Sequence, residues 1–97
     1  MTTLKNITLT TTDGKPMVDA SSQKELNTVN LITICLGQSK YASVADQWKA
    51  YEITKKIEDG KDVELEDADY QLVKKMVEAF EPYRNGFTFI SFLELFK

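Results

Sequence analysis

The chain has 97 residues, with 12 basic and 15 acidic side chains, a net charge of -3, no histidine and one cysteine. That length holds one domain, which can bury about two thirds of its unfolded surface. The composition excludes histidine-based catalysis, histidine-containing zinc sites and disulfide scaffolds, and it disfavours nonspecific nucleic-acid binding, which needs a basic face.

Residues 1–9 lack the apolar core of a secretory signal, so the expected compartment is the cytoplasm. No apolar run is long enough for a transmembrane helix, and no membrane partner is expected. Asn6-Ile7-Thr8 matches a glycosylation sequon, which is without meaning off the secretory route. Ile7 and Leu9 alternate with Thr8 and Thr10, the period of a half-buried strand. Asp13-Gly14 is a hairpin turn signal, and residues 15–18 supply a return strand. Pro16 lacks an N–H and confines that strand to an edge.

Ser22-Gln23-Lys24-Glu25 fits a capping box and predicts a helix that Gly37 ends. Leu26, Val29, Thr33 and Leu36 share one face of it. The competing reading is a buried strand over the β-branched residues 28–34. Cys35 lies in Leu31-Ile-Thr-Ile-Cys-Leu36 and reads as a buried thiol, since a catalytic cysteine needs an activating base.

A second helix is predicted over 43–58, ended by Asp59-Gly60. Val44, Ala45, Trp48 and Tyr51 form one stripe on it. Ala50, Ile53 and Ile57 form another, so this helix is either central or shares a face with a partner. In the core, Trp48→Ala costs roughly 3–5 kcal/mol. At an interface it costs under about 1 kcal/mol and removes binding instead.

Val63 and Leu65 alternate with acids as a short extended link. Glu66 or Asp67 opens a third helix, with acids where the helix dipole favours them. Leu72, Val73, Met76, Val77 and Phe80 form its apolar stripe, and Pro82 stops it. Asn85-Gly86 is a turn. Residues 87–97 form a short apolar helix carrying Phe89, Ile90, Phe92, Leu93 and Phe96. The expected fold is α+β, mainly α: an N-terminal β-hairpin, a small bundle of three helices and a short C-terminal aromatic helix. Residues 1–97 are a single domain, with a hairpin arm over 1–20 and the bundle over 21–97.

No catalytic, cofactor-binding or metal-ligating residue is marked, and the chain reads as a non-enzyme. The acids between Glu58 and Asp69 fail as a calcium loop: with Gly60 at loop position six, positions one and three are Lys55 and Ile57. Asp59, Asp62, Glu64, Glu66 and Asp67 remain as an acidic contact surface, against the plainer reading of a solvated loop. Lys49, Lys55, Lys56, Lys74 and Lys75 lack the phosphate loop or aromatic strand motif of a nucleic-acid binder. The aromatics of residues 80–96 have two readings, core packing or a partly exposed docking helix. Hot spots favour Trp, Tyr and Arg. The partner-contact candidates are therefore Trp48, Tyr51, Tyr83, Arg84, Phe92 and Phe96.

The stretches Trp48-Lys-Ala-Tyr-Glu-Ile-Thr-Lys-Lys-Ile57, Val63-Glu-Leu-Glu-Asp-Ala-Asp69 and Leu72-Val-Lys-Lys-Met-Val77 resemble small accessory proteins of tailed phages. There, a helix with a K-x-Y-x-[IL]-x-x-K-I pattern precedes an acidic V-x-L link and a second helix. The resemblance covers the second half of the chain and rests on packing patterns. It implies a phage origin, an accessory role in a bacterial host cell and no active site. The favoured function is binding of a host or phage protein, as an inhibitor or regulator. The alternative is a small virion or assembly component that self-associates through the C-terminal helix, and a nucleic-acid-binding regulator is disfavoured by the charge.

Overall fold

The computed structural model describes residues 2–19, 23–58 and 60–96. Two strands, β1 (Thr2–Leu4) and β2 (Val63–Leu65), pair antiparallel with Thr3 opposite Glu64. The extended link expected around Val63 and Leu65 is thus a strand, and its partner is the N-terminus rather than a neighbour in sequence. Leu4 and Leu65 point inward and are buried.

The hairpin expected over 7–18 is present as irregular pairing. Thr10 and Pro16 form an antiparallel bridge, the Thr11 amide donates to the Lys15 carbonyl at 2.7 Å, and Gly14 turns the chain at φ +85°. A third extended segment closes on it. The amides of Met17, Leu26 and Leu9 donate to the carbonyls of Leu9, Met17 and Leu26 at 2.9, 2.8 and 3.0 Å, a ring of three bonds. Leu9 and Met17 enter the same core as the helices, so the arm is packed onto the bundle.

That third segment corrects the first helix prediction. Ser22 lies outside the described residues, and Glu25 is extended, bridged to Val18. Helix α1 (Thr28–Gln38) starts five residues later than the Ser22 box implies for its first turn. Its cap is Asn27, whose side chain accepts from the Asn30 amide at 2.9 Å while Asn30 accepts from the Asn27 amide at 3.1 Å. This reciprocal box makes the β-branched run helical, because two otherwise orphaned amides are satisfied there. The buried face is Thr28, Val29, Leu31, Ile32, Cys35 and Leu36, whereas Thr33 is exposed.

Ser43 caps α2 (Val44–Ile57) by accepting from the Asp46 amide at 3.2 Å. α3 (Asp67–Ala79) carries Asp67 and Asp69 in its first turn. The two helices bury Ala50, Ile53, Ile57, Val73 and Val77 against α1. Pro82 diverts the chain into a 3-10 turn (Glu81–Arg84), followed by the short α4 (Ile90–Leu93) and a 3-10 turn over Glu94–Phe96. The α+β, mainly α fold is therefore observed. Among the described residues, no helix is long and apolar enough to cross a membrane.

The C-terminal aromatics close the bundle. Tyr83 sits at ring-centroid distances of 4.7 Å from both Phe80 and Phe89 and 5.3 Å from Phe92. Its hydroxyl donates to the Leu31 carbonyl at 2.6 Å, pinning this turn to α1. Burial, and secondarily the Cys35 sulfur, push the Tyr83 phenol well above its ordinary value. The unfolded chain releases that proton near pH 10 and the folded chain does not, so folding stability falls as pH rises beyond about 10. Chemical denaturation at pH 8 and pH 11 is expected to show the loss, with Tyr83→Phe less sensitive than the native chain. Equal pH sensitivity in both would refute the assignment.

Candidate functional site

α2 buries one side and presents the opposite side to solvent. Ala50 and Ile53 are 2% and 1% exposed, whereas Val44, Trp48 and Tyr51 are 67%, 63% and 53% exposed. The stripe of Val44, Trp48 and Tyr51 therefore has no cover among the described residues. The steps from 44 to 48, 51 and 55 are four, three and four, the spacing of a coiled-coil seam. Trp48 and Tyr51 meet edge to face at 6.0 Å and 83°. Lys55 Nζ stands 5.5 Å from the Tyr51 ring centroid and pairs with Glu58 at 3.5 Å. Glu58 beside it holds the Lys55 ammonium above its usual range. The seam thus ends in a charge pair between two exposed side chains.

Towards α1 the seam drops into an open groove, with Leu36, Ala50, Thr33, Thr54 and Tyr41 among its lining. The Tyr41 hydroxyl donates to the Leu36 carbonyl at 2.6 Å, which fixes that ring in place. Towards α3 the helix is held by Asp69. This carboxylate is 2% exposed and receives Lys49 at 3.3 Å and Lys56 at 3.8 Å. The Asp69 bond raises the proton affinity of Lys49. Lys49 and Lys56 are seven residues apart and so share a face, which orients the seam outward. The sequence reading missed Asp69 as a special acid, although two lysines at heptad spacing opposite a first-turn Asp were visible.

The other contact candidates fall elsewhere. Tyr83, Phe92 and Phe96 are 3%, 0% and 1% exposed. They are core residues and not surface contacts, because the Tyr83 hydroxyl bonds the Leu31 carbonyl of α1 and the Phe96 ring packs on Tyr70 of α3. Phe96 stacks on Tyr70 at 5.9 Å and meets Phe92 at 5.4 Å. Arg84 is exposed, next to the buried Tyr83. Phe87 is 72% exposed at the turn before α4, away from the α2 seam in sequence and in element.

Among the acidic candidates, Asp62, Glu64, Glu66 and Asp67 are exposed, and two of them serve the fold. Asp62 Oδ1 accepts the Asn6 amide at 2.8 Å, and Asp67 accepts from the Thr2 hydroxyl at 3.3 Å. Glu64 lies in β2, and Glu66 precedes α3 without a side-chain capping bond. Asp59 lies outside the described residues. Among the described residues, no group of three or more potential ligands is placed to hold a metal ion. Cys35 is buried, and burial raises its thiol pKa. That environment holds it as the inert thiol rather than the reactive thiolate.

The fold and its surface define a small, mainly α, α+β domain with an uncovered aromatic seam on its middle helix. No family model, no curated protein and no solved structure matches the chain.

Proposed function

We propose that this chain is a non-enzymatic protein-binding domain that engages its partner through the α2 seam. The observation that carries this reading is the exposure of Val44, Trp48 and Tyr51 on a helix whose opposite face, Ala50, Ile53 and Ile57, is buried. Scattered single apolar side chains need no explanation, but a Trp-Tyr pair aligned on one seam is the composition of an interface centre. The more specific reading is a phage accessory protein that inhibits or regulates a host or phage protein. The resemblance carried by residues 48–77 supports it, as does a rigid face that suits steric blocking. Self-association through the C-terminal helix is disfavoured, because Phe92 and Phe96 are already spent on the core.

Trp48→Ala separates binding from folding. At 63% exposure the ring contributes little to the fold, so the variant is expected to lose under about 1 kcal/mol in urea denaturation. Affinity capture from bacterial lysate is expected to retain a stoichiometric protein on the native chain and to lose it on the variant. Equal capture by both chains would remove the seam from function, and a loss of several kcal/mol would return Trp48 to the core.

A further inference from the structure

The seam has a feature that a generic docking face lacks: it is complementary to itself when reversed. We infer that in the free chain this seam is occupied by α2 of a second copy, packed antiparallel about a two-fold axis near the middle of the helix. This rests on the reading of α2 as a docking face and adds to it a weak homodimer that a tighter-binding partner displaces.

The argument begins with spacing. A seam of about one residue per turn accepts another helix better than it accepts a flat surface. Trp48 and Tyr51 flank the midpoint of the stripe that runs from Val44 to Lys55. Reversal therefore sets Trp48 against Tyr51 of the second copy, twice, and sets Val44 on the methylene stem of Lys55.

Charge then selects direction. Lys40 lies with Val44 and Gln47 around one shallow hollow at the start of α2. Glu58 follows its end and is exposed. The antiparallel arrangement brings Lys40 towards Glu58 of the second copy at both ends. A parallel arrangement sets Lys40 against Lys40 and Glu58 against Glu58, and it also aligns the helix dipoles. The seam is about 16 Å long at the α-helical rise, so it buries less than the roughly 800 Å² per partner of a standard interface. The dimer is accordingly weak, with a dissociation constant on the order of tens of micromolar.

Analytical ultracentrifugation of the full chain from about 5 μM to about 1 mM tests this. The mass is expected to rise from 11.1 kDa towards twice that value. Trp48 is the only tryptophan. Its emission is therefore expected to shift to the blue in step with the mass, as water leaves its ring. Val44→Asp is expected to weaken association by at least about 30-fold, since it places a carboxylate in the seam. Lys40→Glu and Glu58→Lys are each expected to weaken it by about tenfold, and the double variant to recover most of that loss. Circular dichroism of each variant confirms an intact fold. A monomeric mass at the highest concentration overturns the proposal, as does a dimer that leaves Trp48 emission unchanged or a double reversal without recovery. A monomer that still captures another protein through Trp48 sinks the second copy but keeps the docking face. A monomer that captures nothing sinks both.

Discussion

Phe92→Ala is expected to remove about 3–5 kcal/mol of stability, the range for a fully buried aromatic reduced to alanine. Phe92 is 0% exposed and meets both Tyr83 and Phe96 edge to face, at 5.3 and 5.4 Å. Its loss empties the contact between two rings that are themselves buried. Tyr83 then loses the neighbour that helps hold its hydroxyl on the Leu31 carbonyl, so the attachment of the C-terminal segment to α1 weakens too. A domain of this size has a total stability of roughly 5–10 kcal/mol. The variant thus sits near the threshold of folding, with a melting temperature lower by about 15–30 °C. Calorimetry of the two chains reads this directly. A drop smaller than that of Trp48→Ala would mean that the C-terminal aromatics are peripheral and that the core lies elsewhere.

The contrast between these two aromatics also shows what the sequence made legible. Helical periodicity located α2 and α3 within a residue or two, since Ser43, Gly60, the acids of 66–69 and Pro82 are punctuation with local physical causes. Periodicity says that a stripe is apolar, and not whether another element covers it. Trp48 and Phe92 therefore looked alike as contact candidates, and only the tertiary arrangement separates a 63% exposed ring from a fully buried one. The α1 boundary failed for a related reason. Ser22 to Glu25 and Asn27 to Asn30 both have capping chemistry. The choice between them was made by backbone pairing of residues 24–27 with the arm, a contact between extended segments that helical periodicity does not read. The β1–β2 pair was illegible in the same way, because its strands are three residues each and their partners are some sixty residues apart.

Asn6→Ala is expected to cost about 2–3 kcal/mol, far more than an ordinary polar residue near a terminus. Asn6 Oδ1 accepts the amide of Val29, the second residue of α1, at 3.2 Å. That amide is one of the four at a helix start that have no partner within the helix. Asn6 Nδ2 donates to the Gly60 carbonyl at 2.5 Å, where the chain turns at φ +77°, and the backbone N–H of Asn6 donates to Asp62. One side chain therefore ties the arm, the start of α1 and the approach to β2 together. Next to it, the Ile7 amide donates to the Thr28 hydroxyl and the Thr28 amide to the Ile7 carbonyl, at 3.2 and 3.1 Å. Alanine leaves a partly buried amide and a carbonyl unsatisfied at once. Asn6→Asp keeps the acceptor at a helix N-terminus, where negative charge is favoured, but it loses the donor and faces the Gly60 carbonyl. It is expected to retain about half of the contribution. Urea denaturation ranks the three chains, and hydrogen exchange at the Val29 amide localises the effect. A cost below about 0.5 kcal/mol with unchanged Val29 protection would show that the arm is held by Leu4, Leu9 and Met17 alone.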